Sequence, residues 1–298
     1  MKKRKPFLVR LLIWLVSIIL SIALLVAVCC IYVNKKYGIN LFETYAQVKK
    51  LSEPVNEDEK FKNKYSADDM AAAQTTVNER ISGLITYTEA DGYKISTEGL
   101  TSASDLTLDL KITDKQIAAI ANTMINDNED GVYLDFNGDK AKVELVQIQF
   151  ENIDNLTGNV DINIVVKIDF SFLQEKMKDF PFNAFKSYVP KTVYISSTTT
   201  VVKGATPFEY TVESKYMTIN NLTKDETENL IKTLDLVAKI GTADKLNVMV
   251  GEQFADLLIG KETTDSSKNG FAYSLKDLGA KDYTFLNQDE VNYFVIKP

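Results

Sequence analysis

The chain of 298 residues has no histidine, and its two cysteines are adjacent, Cys29 and Cys30. Without an imidazole there is no Ser-His-Asp or Cys-His catalysis, no HExxH zinc site and no histidine-ligated haem. Both thiols fall inside an apolar run. The rest of the chain therefore has no disulfide, no thiol nucleophile and no cysteine-based metal site. A serine–lysine pair would need no histidine, but no lysine has a serine three positions before it, which removes the S-x-x-K arrangement. Asp and Glu are plentiful, yet no spacing singles out two of them as an acid–base pair. The residue types argue against an enzyme and against a bound cofactor.

Asn126-Asp127-Asn128-Glu129-Asp130-Gly131 has the opening of a calcium loop, with Gly131 in the sixth place. The twelfth place would then be Asn137, where such a loop needs a bidentate Glu. An acidic helix end closed by a glycine turn explains the same residues, and no metal site is expected. Asn-x-Thr at Asn155 and Asn221 would matter only in a host that glycosylates such sites. After position 33 the chain carries 29 basic and 41 acidic residues, a net of −12, and Arg80 is its one arginine there. That sign disfavours nucleic acid, and so few arginines disfavour bidentate phosphate clamps.

Among the elements that would position any site, the first is the run Leu11–Val33, 23 residues without a charged side chain. As a helix it would span roughly 35 Å, enough for a hydrocarbon core of about 30 Å. Lys2, Lys3, Arg4, Lys5 and Arg10 precede it, and only Lys35 and Lys36 follow closely, so residues 1–10 are expected in the cytoplasm. The expectation is a single-pass cell-membrane protein with its C-terminal part outside. Residues 34–65 read as a juxtamembrane helix, with Leu41, Phe42, Tyr45 and Val48 on one face, and a charged linker broken by Pro54. Residues 66–298 read as one extracytoplasmic α+β domain.

Ser66 and Asp69, Thr113 and Gln116, and Thr223 and Glu226 have capping-box spacing, so helices are expected to start at each. A further helix is expected over Ala243–Leu258. Asp91-Gly92 and Asn137-Gly138 are hairpin turns by type. Strands are expected over 106–112, 140–151, 158–172, 192–203, 208–220 and 291–296, within an otherwise loop-rich tail after Gly260. In the third of these, Val160, Ile162, Ile164, Val166, Ile168, Phe170 and Phe172 point one way, while Asp161, Asn163, Val165, Lys167, Asp169 and Ser171 point the other. Thirteen residues of period-2 pattern is long against a typical strand of about 5–6. The fold expected is thus an N-terminal transmembrane helix followed by a long, strongly curved antiparallel sheet wrapped on helices. Its aliphatic face would be filled by those helices or left as a groove for an apolar ligand, lined by Val160, Ile162, Ile164, Val166, Ile168 and Phe170.

The order of anchor, helix after a T-x-x-Q/E cap, two long strands, broken helical crossing, two more long strands and a helix resembles the tubular lipid-binding (TULIP, BPI-like) superfamily. Within it the chain looks like the small membrane-anchored bacterial YpmS-like proteins. The resemblance covers about residues 105–240 and includes Ile112-Thr113-Asp114-Lys115-Gln116. It implies lipid binding at the outer membrane surface without chemistry, and no individual ligand residue. The competing expectation is a cell-envelope scaffold with a filled core and a protein partner.

Overall fold

Each capping box closes as its spacing requires. Ser66 Oγ accepts from Asp69 N while Asp69 Oδ2 accepts from Ser66 N. Thr113 with Gln116, and Thr223 with Glu226, make the same reciprocal pairs. Two orphan amides per helix start are thereby satisfied. These boxes stand at the heads of three helices in a computed structural model that describes residues 41–96, 100–102, 108–126, 133–136, 139–171, 175, 189–238, 241–261 and 270–298.

In chain order the helices are α1 (Leu41–Ser52), the single turn α2 (Glu57–Lys60), α3 (Ala67–Asn78), α4 (Asp114–Asn126), α5 (Lys224–Ala238), α6 (Ala243–Leu258) and α7 (Phe271–Ser274). The strands are β1 (Ile81–Ser82), β2 (Ile85–Thr88), β3 (Gly92–Ile95), β4 (Thr101–Ser102), β5 (Leu110–Thr113), β6 (Tyr133–Phe136), β7 (Asp139–Asp154), β8 (Asn159–Asp169), β9 (Thr192–Lys203), β10 (Tyr210–Ile219), β11 (Asp282–Gln288) and β12 (Val291–Lys297). Strands β6 to β10 form an antiparallel meander in sequence order, and β11-β12-β5 form a second antiparallel sheet. The pairs β2–β3 and β1–β4 complete the set among the described residues.

Alternation sorts the large sheet into two faces. On one face Val143, Ile148, Phe150, Val160, Ile162, Ile168, Val193, Ile195 and Ile219 are buried in a single apolar cluster. That face is covered by α6 over β9 and β10, by α4 over β7, and by the β11–β12 hairpin over the β7–β8 end. The close approach of α6 depends on Gly251. A Cβ there would lie 2.5 Å from Thr199 Oγ1 and 2.7 Å from Val212 Cγ1. Asn247, fully buried on the same helix, donates to Thr198 O at 2.7 Å and accepts from Ser197 Oγ at 2.6 Å.

From Leu145 onward the β7 edge away from β8 has no strand partner among the described residues. Four side chains cap it. Leu145 N donates to Asn122 Oδ1, Ile148 O accepts from Asn63 Nδ2, Phe150 N donates to Asp114 Oδ2, and Phe150 O accepts from Asn292 Nδ2. An edge filled in this way offers no ladder to a foreign strand.

Parts of the expected architecture need correction. The run Leu11–Val33 lies outside the described residues, and among the described residues no helix is long and apolar enough to cross a membrane. The described fold is therefore α+β with antiparallel sheets, without the spanning helix of the single-pass expectation. Nor is the large sheet strongly curled. Its apolar face is covered by several elements laid side by side, so there is no single axial helix for it to wrap. Strand β8 ends at Asp169, and Phe172 lies outside the described residues. The tail contains the seven-residue strand β11 where loop was expected, because its alternation is broken by Asn287 and Gln288.

Candidate functional site

The other face of the large sheet is where polar side chains gather. Asp161, Asn163, Val165 and Lys167 of β8 stand opposite Thr200, Thr198, Ser196 and Tyr194 of β9. The bulge between Leu145 and Gln147 brings Gln147 opposite Val165, onto the same face. Gln147 and Asn163 are almost fully buried and belong to one chain of neutral hydrogen bonds. Gln147 Nε2 donates to Asn163 Oδ1 at 3.1 Å and to Gln149 Oε1 at 3.0 Å, and Asn163 Nδ2 donates to Ser196 Oγ and Thr198 Oγ1, each at 2.8 Å. Asp161 anchors one end of this row. Its carboxylate accepts from Thr200 Oγ1 at 2.6 Å, from Asn152 Nδ2 at 2.7 Å and from Lys215 Nζ. Burial pushes this carboxyl up, but those hydrogen bonds and the Lys215 charge outweigh it, and the group sits below the ordinary range.

The opposite end of the face is covered by residues 53–64, which cross it as a strap. Phe61 and Val55 pack with Val146, Val165 and Tyr194 in a small apolar cluster separate from the main core. The Phe61 and Tyr194 rings are 5.4 Å apart between centroids. Glu57 lies over the same tyrosine, its Oε1 accepting from Tyr194 OH and, at 2.8 Å, from Lys167 Nζ. Lys64 Nζ stands 3.8 Å from Glu57 Oε2, and Lys167 Nζ is 3.6 Å from Glu144 Oε2. Burial raises Glu57, yet the bonds from Lys167 and Tyr194 more than offset it and leave the carboxyl below its usual range. Tyr194 is pushed up to about 12 by burial and by the Glu57 carboxylate it bonds. Lys167 moves upward too; its burial opposes this, and the bond to Glu57 prevails. At the strap's far end Asn63 N donates to Gln147 Oε1 at 3.0 Å, joining the strap to the amide row.

The groove candidates lie on the opposite face. Val160, Ile162, Ile164, Ile168 and Phe170 are each at most 5% exposed and belong to the main core cluster, and Val166 is partly buried against it. The calcium-like loop falls mostly outside the described residues, as does Asn137; among the described residues no three His, Cys, Asp or Glu side chains are grouped to hold a metal. The Asn155 amide donates to Asn287 O, and the Asn221 amide donates to Glu53 O and Pro54 O, so both acceptor nitrogens are engaged in the fold.

In the sequence the strap residues read as part of a charged linker, and no motif singles out Glu57 or Asn63. The local signal is the pair Val55 and Phe61, apolar side chains in a mostly charged run, which pack together on the sheet. Chemically, the strap-bearing face pairs a cation and a phenol with a shallow apolar patch beside a rigid row of amides and hydroxyls. It offers recognition groups, with Lys167 and Tyr194 both held away from neutral-pH titration. No family model matches the chain, and no curated protein or solved structure matches it.

Proposed function

We propose that this chain is a non-catalytic interaction protein that engages a protein partner through the strap-bearing face of the β6–β10 sheet. The observation that carries the reading is the contrast between the two faces. The aliphatic face is consumed by α4, α6 and the β11–β12 hairpin, with its central side chains at most 5% exposed. On the opposite face, among the described residues, the strap covers the Tyr194 end, and the amide and hydroxyl row is buried beneath its neighbours. Towards β10 this face leaves Glu213, Lys215 and the 37%-exposed Tyr216 accessible beside the amide and hydroxyl row. Lys215, held by the buried Asp161, and Tyr216 stand exposed on this ordered row, and side chains restrained in this way lose little further entropy on binding. A groove for an acyl chain would instead need the Val160–Phe170 face to open, at the cost of packing in the main core.

The test is photo-crosslinking of the full chain in its native cells, with the reactive side chain placed at Tyr216 and, as control, at Tyr87 on the β2–β3 hairpin. A discrete protein adduct from Tyr216 and none from Tyr87 is the expected result. Stoichiometric co-purified lipid in native mass spectrometry, with no adduct at Tyr216, would overturn it in favour of an apolar ligand.

A further inference from the structure

Strap residues 53–64 are joined to the domain through polar bonds of Glu57, of Asn63 and of the Glu53 and Pro54 carbonyls, and through one small apolar cluster. α2 has no buried residue, and below Leu51 the apolar contribution comes from Phe61 and Val55. The patch they cover, Val146, Val165 and Tyr194, is apolar surface on an otherwise polar sheet face, and it is not continuous with the main core. Removing the strap would expose that patch and free Ile148 O and Asp114 of their bonds from Asn63, without uncovering the main core cluster. The polar groups are matched in the same local way. Lys167 and Tyr194 converge on one carboxylate oxygen, and the aromatic ring that seats on Tyr194 comes four residues later.

We infer that residues 53–64 are an intramolecular occupant of a peptide-recognition site, and that the partner segment fitting this site carries a carboxylate followed four residues on by an aromatic side chain. The inference rests on the reading of this face as the interface and identifies what binds at its covered end. Lys167 and Tyr194 OH select the carboxylate, and Val146, Val165 and the Tyr194 ring select the aromatic group. A neutral or basic segment would leave Lys167 with Glu144, at 3.6 Å, as its carboxylate partner, beside the Tyr194 ring. The covalently attached strap competes at an effective concentration of about millimolar, so the site is closed to weak ligands and opens to a partner that binds the same groups more tightly. Local units held by few apolar contacts open without global unfolding, which makes such exchange feasible.

Native-state hydrogen exchange on the full chain reads the opening directly. The reporting amides are Phe61 N, bonded to Glu57 O, and Asn63 N, bonded to Gln147 Oε1. They are expected to exchange faster than those of Ile162 and Ile164 in β8. Glu57→Gln should accelerate them up to about fivefold, as for loss of a partly screened ion pair, and leave β8 unchanged. Phe61→Ala supplies a second, more open variant. A synthetic peptide of residues 53–64 should bind Phe61→Ala at least about tenfold more tightly than the unmodified chain, because only the weakened strap yields. Strap amides that exchange only together with β8, or a peptide that binds both chains equally or neither, would overturn the inference. The Tyr216 crosslink is independent of these readouts, so a permanently closed strap can be told apart from a face that binds nothing.

Discussion

Asn220 pairs with Tyr194 as a strand residue would, using its side chain for half of the ladder. Its backbone N donates to Tyr194 O at 2.9 Å, and its Oδ1 accepts from Tyr194 N at 2.7 Å. The amide Nδ2 then donates to Leu51 O at 2.6 Å and Thr192 O at 3.2 Å, tying the end of α1 to the sheet. Asn220 does this with φ of 47°, in the left-handed region that Asn tolerates better than most residues.

Asn220→Ala is expected to destabilise the protein by about 2–4 kcal/mol, because buried backbone groups at three positions lose their partner. Asn220→Gly relieves the backbone conformation and should recover up to about 1 kcal/mol of that loss. Urea denaturation of the two variants checks the order, and tryptic cleavage at Lys49 and Lys50 should accelerate in both.

Gly251→Ala should destabilise although alanine favours helices by about 1 kcal/mol over glycine. The new methyl meets Thr199 and Val212 of the sheet, and overpacking of this kind costs about 1–3 kcal/mol. The double variant Gly251→Ala, Thr199→Ala should be more stable than Gly251→Ala alone in thermal denaturation.

Ile168, fully buried near the end of β8 on the aliphatic face, tests whether that face is core. Ile168→Ala is expected to cost about 2–5 kcal/mol through lost burial and the cavity left behind. Urea denaturation gives the value. A cost under 1 kcal/mol would mean that the site is not tightly packed.

Glu57 and Lys167 have side chains about a quarter to a third exposed, so their pair is partly screened. A double-mutant cycle with Glu57→Gln and Lys167→Met should return a coupling of about 0.5–1 kcal/mol. Raising the salt from about 0.05 to 0.5 M should shrink it.

Asp161 predicts the acid side of the stability curve. Its folded carboxyl is held below the unfolded value, so it adds stability above about pH 4 that is lost as pH falls through the folded value. Asp161→Asn should therefore be less stable than the unmodified chain at neutral pH, with the gap narrowing in acid. Buried Asp114 acts in the opposite sense. Its burial raises the carboxyl against the bonds from Phe150 N, Lys115 N and Asn63, so its protonation favours the fold as pH falls. Melting temperatures between about pH 3 and 7 separate the two.

The exclusions of histidine chemistry needed no structure, because a missing imidazole is missing in every conformation. Local signals also sufficed for the three capping boxes, for strand 192–203 and for helix 243–258, since caps and periodicity act between residues a few positions apart. The split of β8 into an aliphatic and a polar face belongs to the same class. What covers each face was decided only in three dimensions. Counting by twos from Leu145 would put Gln147 inward with it, but the bulge places Gln147 opposite Val165 on the polar face. The charged run 53–64 reads as a linker until Val146, Val165 and Tyr194, from three separate strands, come together beneath Phe61. Likewise the aliphatic face is covered by α6 and the β11–β12 hairpin, elements from about 80 to 135 residues farther along the chain. Pairings across such separations depend on the whole packed fold, and no short window of sequence contains them.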